Sequence, residues 1–151
     1  MLREEFINAK RIVIKLGTNV LRNSEGEVAI SRIYSFIEDM AKLVKQGKEV
    51  ILVTSGAVGL GKKKLNLEST AEDGVKQACA AVGQSRLMSF YENGFGIYDV
   101  PIAQILLTED DFSLRYRYLS LRTTLNKILE FGVVPIINQN DTVSTIEMNP
   151  R

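Results

Sequence analysis

The chain alternates short apolar runs with longer segments in which apolar residues recur every three or four positions. A short apolar run bounded by turn residues is typical of a buried β-strand, and the longer spacing is typical of an amphipathic α-helix. Strands and helices that alternate in this order build a mostly parallel sheet with helices on both faces. We therefore predict an α/β fold of three layers, with one mostly parallel sheet between two layers of helices.

Four strands are predicted, over 11–16, 49–54, 101–107 and 133–138, with no internal repeat or domain boundary. The first long helix is predicted to begin at Ser31 as its N-cap and to end at Gly47. A second helix is predicted over 73–91. Its small-residue face should let it approach a neighbouring element closely, through Ala78, Ala80, Ala81 and Gly83. A third helix is predicted over 118–131, with four apolar residues inward: Leu121, Leu125, Ile128 and Leu129.

Charge and composition exclude several classes of protein. The 19 basic and 18 acidic residues leave no excess positive charge, so we expect neither a nucleic acid nor a membrane surface as a partner. Histidine is absent, which excludes catalysis by Ser-His-Asp or Cys-His groups. The single cysteine, Cys79, lies in an apolar run and is predicted to be a buried hydrophobic residue. Since we see no secretion signal or membrane-spanning run, we expect a cytoplasmic protein.

Small and polar residues follow three of the predicted strands, in segments 15–19, 54–59 and 138–141. Parallel α/β sheets bind their ligands at the carboxyl ends of the strands. We therefore expect the three segments to face one crevice, with Lys15, Ser55 and Asp141 around a shared small-molecule pocket.

The first segment has the chemistry of a phosphate site. A lysine within an apolar strand is costly to bury without an anionic partner, and a phosphate would be the natural one. Alternatively, the ammonium group of Lys15 reaches water at the strand end. Gly17 is expected to let the backbone turn sharply near a ligand, and Thr18 offers a hydroxyl group and a free amide.

The other two segments have groups that suit the two ends of an amino acid. Ser55 and Gly56 open a predicted helix, whose free N–H groups attract an anion, although Ser55 could be a plain N-cap. Asn138 and Asp141 offer an amide and a carboxylate that suit an ammonium group. Alternatively, they form an Asx-rich turn.

Two charged runs are predicted to be structural. Residues 62–64, three lysines, read as a solvated helix end rather than a phosphate site. The acidic run 109–111 could hold a metal ion, but acids between a strand and a helix are more often loop or helix-start charges. We therefore assign no metal ligand in this chain.

Four segments, Ile14–Thr18, Val53–Ala57, Ala80–Gln84 and Pro135–Asp141, resemble in order and spacing the glutamate 5-kinases of the amino-acid kinase superfamily. The resemblance covers nearly the whole chain from about residue 11. It implies an enzyme that uses ATP and Mg²⁺ to phosphorylate the γ-carboxylate of L-glutamate, at the start of proline synthesis, and that forms a homo-oligomer. It also implies that Lys15 is catalytic and contacts the ATP phosphates together with Gly17 and Thr18. Glutamate would be held by five residues: Ser55, Gly56, Ala57, Asn138 and Asp141.

The resemblance extends only to the N-terminal, glutamate-binding half of such a kinase. The nucleotide-binding half and the RNA-modification-type domain of many members have no counterpart among residues 1–151. We therefore expect a truncated product or fragment with little or no turnover by itself. The open alternatives are another amino-acid kinase, acting on a different carboxylate or carbamate, and a non-catalytic module for amino-acid binding or assembly.

Overall fold

The computed structural model describes residues 7–25 and 27–143. Four strands form one sheet in the order β1-β2-β4-β3, and each strand is parallel to its neighbours. The mostly parallel α/β fold predicted from the sequence is therefore confirmed. The strands are β1 (Arg11–Leu16), β2 (Glu49–Thr54), β3 (Ile102–Leu107) and β4 (Val134–Gln139).

From β1 onward, α-helices connect these strands, and a 3-10 turn follows β4. The helices are α1 (Thr18–Leu21), α2 (Ile30–Lys45), α3 (Ala57–Lys64), α4 (Val75–Gly96), α5 (Asp110–Ser113) and α6 (Arg115–Glu130), and the turn is Asp141–Val143. Ser31 is not the N-cap that the sequence predicted, because α2 already begins at Ile30 and Ala29 precedes it without a side-chain cap. None of the helices described in 7–25 and 27–143 is both long and apolar enough to cross a membrane.

The strand order places the helices in two layers. The chain steps in one direction across the sheet from β1 to β2 and on to β3, and then steps back to β4. Because crossovers between parallel strands are right-handed, α2 and α4 lie on one face and α6 lies on the other. The predicted three-layer arrangement follows from this topology.

The larger core lies beneath α2 and α4. Its centre is made by apolar side chains that are almost inaccessible to water, among them Ile33, Ile37, Leu52, Leu87, Tyr91, Phe95 and Ile136. By contrast, α6 covers its face loosely. Of the four residues predicted to point inward from α6, only Leu129 is buried, and Leu121, Leu125 and Ile128 are half-buried. Burial of Cys79 agrees with the prediction of a small hydrophobic residue.

Helices α3 and α4 touch through their backbones. A Cβ atom at Gly83 would overlap the carbonyl oxygen of Ala57, and one at Gly61 would overlap the carbonyl oxygen of Cys79. The close approach predicted for this segment is therefore present. Its face is made by Cys79, Ala80 and Gly83, whereas Ala78 and Ala81 are exposed and do not belong to it.

We predict that Gly83→Ala lowers the free energy of unfolding by roughly 1–3 kcal/mol, because the added methyl group meets rigid backbone rather than a movable side chain. Gly96→Ala is the matched control, since Gly96 is also helical and has open space around its Cα. The control should change stability by less than about 1 kcal/mol. Urea unfolding followed by circular dichroism measures both changes, and equal losses in the two variants would contradict the close contact.

One buried hydrogen bond ties α4 to the end of β2. The hydroxyl groups of Thr54 and Tyr91 lie 2.7 Å apart, and both residues are buried. Burial raises the pKa of the Tyr91 phenol to about 12, and the hydrogen bond with Thr54 opposes this rise only in part. The neutral phenol is therefore favoured by the fold.

The raised pKa predicts a loss of stability in alkali. The stabilisation is fully present below pH 10. Between pH 10 and about 12 the phenol ionises in the unfolded chain but stays neutral in the fold, so the free energy of unfolding falls as the pH rises. We expect the stability difference between the native chain and Tyr91→Phe to shrink by about 1 kcal/mol between pH 9 and pH 11. Urea unfolding at both pH values measures this difference, because other titrating groups cancel between the two proteins. A constant difference would contradict the buried phenol.

Candidate functional site

The three polar segments predicted from the sequence lie at one edge of the sheet. Leu16 pairs with Thr54 across β1 and β2, and Val53 pairs with Ile137 across β2 and β4. The carboxyl ends of β1, β2 and β4 are therefore neighbours. The turns that follow them stand side by side at the edge where parallel sheets carry their ligands.

Ser55 links the first two of these turns. Its hydroxyl group donates to the carbonyl oxygen of Leu16 at 3.4 Å, and the Oγ1 atom of Thr18 lies 3.2 Å from its oxygen. The alternative of Ser55 as a plain N-cap is wrong, because Gly56 occupies the N-cap of α3 and no side chain caps this helix. Ser55 therefore holds the β1 and β2 turns together and is partly exposed beside them.

The backbone conformation requires glycine at position 56 but not at position 17. Gly56 has a φ of +93°, in the left-handed region that side chains with a Cβ atom rarely adopt. Gly17 has a φ of −76° and open space around its Cα, so any residue fits its conformation. The chain does turn at Gly17, from β1 directly into α1, but this turn does not require glycine, and a close approach of Gly17 to a ligand stays a prediction. The left-handed turn lies at Gly56, at the start of α3.

Lys15 is exposed to solvent. It pairs with Val53 and so belongs to the row of side chains on the face opposite Leu16 and Thr54. The argument from the cost of burying a lysine does not apply, because β1 is an edge strand and leaves the ammonium group in water. Contact between Lys15 and the phosphates of ATP stays a prediction.

Asn138 is buried at the end of β4 and linked to α4 by a chain of amides. Its Nδ2 atom donates to Oε1 of Gln84 at 2.9 Å, and Nε2 of Gln84 donates to Oε1 of Gln104 at 3.0 Å. The Oδ1 atom of Asn138 accepts the backbone N–H of Gln139 at 2.9 Å. Asn138 is thus part of a tertiary network, which the Asx-turn alternative does not describe.

Asp141 begins the 3-10 turn after β4 and is partly buried, and α4 packs against this turn. Five cavities among the described residues are lined by none of Lys15, Ser55 and Asp141. A cavity of about 530 Å³ at the neighbouring β3 end is lined instead by Asn140 and the 109–111 run, among others. A pocket shared by the three side chains therefore stays a prediction.

The acidic run beside that cavity serves the start of α5. The Asp111 carboxylate accepts hydrogen bonds from the backbone N–H and hydroxyl group of Thr108, at 2.7 and 3.0 Å, and pairs with Arg117. The hydrogen bond from the backbone N–H of Thr108 is the main cause that lowers the pKa of Asp111.

Among the described residues no cluster of acidic, cysteine or histidine side chains is suited to a metal ion. In the lysine run 62–64 at the end of α3, Lys63 forms an ion pair with Glu27, with 2.6 Å between Nζ and Oε1.

Sequence reasoning missed two residues that support the site, Gln84 and Tyr91. Each lies on α4 and bonds to a strand end that is distant in the sequence. The signal for Gln84 was its place at the end of the Ala80–Gln84 segment, which otherwise had no assigned role. No local pattern in the sequence indicates the bond between Tyr91 and Thr54.

A parallel sheet with linked polar turns at its carboxyl edge defines the class of α/β domains that carry their ligand sites at the strand ends. The chain belongs to the amino acid kinase family, whose sequence model matches residues 10–148.

The chain is also similar to three bacterial proteins that are each named glutamate 5-kinase. It is 49% identical to the protein of Desulfotalea psychrophila over 148 residues, which cover 97% of this chain and 39% of that protein. For Pelobacter propionicus the identity is 43%, with 98% of this chain and 40% of the relative covered. For Geobacter metallireducens it is 47%, with 92% and 38% covered. The chain thus spans about two fifths of the length of the curated relatives it matches.

We predict that Gly56→Ala lowers the free energy of unfolding by about 1 kcal/mol, since alanine is strained in the left-handed region. The nearest atom to the new methyl group would be Cδ1 of Leu21 at 3.7 Å, so strain rather than overlap is the cause. Gly17→Ala is the control and should leave stability unchanged. Thermal unfolding of the two variants measures this difference. A harmless Gly56→Ala would show that the turn does not need its left-handed backbone.

Proposed function

We propose that this chain is the glutamate-binding part of a glutamate 5-kinase. The observation that carries the proposal is 49% identity over 97% of the chain to a relative of that name. The geometry supports it, because the turns after β1, β2 and β4 stand side by side. An amino acid at this edge would meet the N–H groups at the start of α3 and the carboxylate of Asp141, which suit its two charged ends.

The proposed reaction transfers the γ-phosphoryl group of ATP to the side-chain carboxylate of L-glutamate. A carboxylate oxygen forms a bond to phosphorus while the bond between phosphorus and the leaving ADP oxygen breaks, which gives an acyl phosphate and ADP. The carboxylate is ionised at neutral pH, so no general base has to remove a proton. The protein's task is to align two anions and to offset their negative charge.

Each predicted site residue has a role in this proposal. Lys15 offers its ammonium group to the phosphates of ATP, beside Gly17 and Thr18. The α-carboxylate of glutamate is held by Ser55 and the backbone of Gly56 and Ala57. Asp141 and Asn138 hold its ammonium group. Mg²⁺ would accompany ATP, but no step is assigned to it because the described residues present no fitting cluster of acids.

The proposal includes the setting of the whole enzyme. A protein of this activity makes the first intermediate of proline synthesis in the cytoplasm, and we expect it to be a homo-oligomer. Since this chain spans about two fifths of its relatives, we expect it to bind glutamate with little or no turnover by itself.

We predict that isothermal titration detects glutamate binding to this chain and that Asp141→Asn weakens it at least about 10-fold, because a charged partner of the ammonium group is lost. Asp73→Asn is the matched control, since Asp73 is exposed and lies outside the strand-end turns. The control should leave the affinity unchanged.

The same titration separates the competing assignments. Binding of aspartate or N-acetylglutamate in preference to glutamate would assign the chain to another member of the family. Equal losses in the Asp141 and Asp73 variants would remove Asp141 from the site. A separate assay of turnover tests the role of the chain as only one part of the enzyme, and steady release of ADP from Mg-ATP by the chain alone would refute that role.

A further inference from the structure

Asn138 is fixed by its neighbours before any ligand arrives. It is 6% exposed, and its amide uses one N–H toward Gln84 and one lone pair of Oδ1 toward the N–H of Gln139. An amide has two N–H donors and two lone pairs on its oxygen. Within residues 7–25 and 27–143, Asn138 therefore keeps one donor and one lone pair, and their directions are set by the two bonds already made.

Gln84 and the backbone N–H of Gln139 together favour this orientation. With Oε1 it accepts from Asn138, and with Nε2 it donates to Gln104, so the chain of amides runs in one direction from β4 through α4 to β3. If the amide of Asn138 turned over, its oxygen would face the oxygen of Gln84 and its nitrogen would face the N–H of Gln139. Both contacts would be repulsive while Gln84 keeps its bond to Gln104, and the contact with the fixed N–H of Gln139 would be repulsive in any case.

The backbone of Gln84 is also held in place by a close contact of the preceding residue. It follows Gly83, whose backbone lies against the carbonyl oxygen of Ala57, the first residue of α3. The half-buried Gln84 side chain is thus attached to a fixed backbone and reaches Asn138 at the end of β4. The two last residues of the Ala80–Gln84 segment therefore fix the strand-end turns, Gly83 by close contact and Gln84 by hydrogen bonding.

We propose that Gln84 is a positioning residue for glutamate: it locks the amide of Asn138 so that its oxygen keeps the lone pair that meets the substrate's ammonium group. The inference rests on the proposed function. Gln84 acts through Asn138 and has no role of its own in phosphoryl transfer.

A double-mutant cycle on glutamate affinity tests this inference. Gln84→Met keeps most of the side-chain length and removes the acceptor for Asn138. We expect it to weaken glutamate binding about 5- to 10-fold in the native background, the usual effect of one lost hydrogen bond. In the Asn138→Ala background the same change should weaken binding less than about 2-fold, because the group that Gln84 orients is gone.

Two further variants keep the test decisive. Gln104→Met removes only the outer bond of an exposed residue, so it should fold normally and weaken binding less than Gln84→Met does. Gln46→Met is the control for the exchange itself, at an exposed glutamine after α2, and should leave the affinity unchanged. Melting temperatures of all variants separate a loss of binding from a loss of folding.

Each outcome decides between the two proposals. Unchanged affinity in Gln84→Met, or an equal loss with and without Asn138, would overturn the positioning role while leaving glutamate binding intact. If the native chain binds no glutamate, the proposed function fails, and the role of Gln84 fails with it.

Discussion

The close backbone contact between α3 and α4 determines how the strand ends are held. Because Gly83 has no side chain, α4 lies against Ala57 and is fixed relative to the turn after β2. From this position Tyr91 reaches Thr54, Gln84 reaches Asn138, and the helix packs on the turn that begins at Asp141. One helix thus positions the ends of both central strands.

The buried supporting groups of the site are neutral, whereas its charged groups are exposed, as Lys15 is, or partly buried, as Asp141 is. Hydroxyl and amide groups make the buried links, and in the described part of the chain no buried side-chain polar atom lacks a partner. Buried neutral pairs cost far less desolvation than buried charges. When a ligand covers the charged groups of the site, a charge on that ligand can offset the free energy of their desolvation.

Local patterns predicted the strands well because β1 and β2 are apolar runs that end at clear turn residues. The inward face of α6 was predicted correctly, since Leu121, Leu125, Ile128 and Leu129 are its least exposed residues, but a helical spacing of apolar residues does not say how deeply that face is covered. Ser55 as an N-cap was wrong because a tertiary bond to the Leu16 carbonyl competes with capping. The bond between Asn138 and Gln84 joins residues 54 positions apart, so no short-range pattern could reveal it.

The exposure of β1 bears on how far this chain can catalyse by itself. Val13 is 61% exposed and Lys15 shares its face of the edge strand, so water surrounds the proposed catalytic ammonium group. A charge interaction of this kind is weak in water and becomes strong only where water is excluded. In the proposed reaction, Lys15 would offset the charge of the two meeting anions efficiently only when another surface covers β1. Weak turnover by the isolated chain and glutamate binding at the β2 and β4 ends are therefore compatible, because the glutamate contacts are assigned to turns that α4 already holds in place.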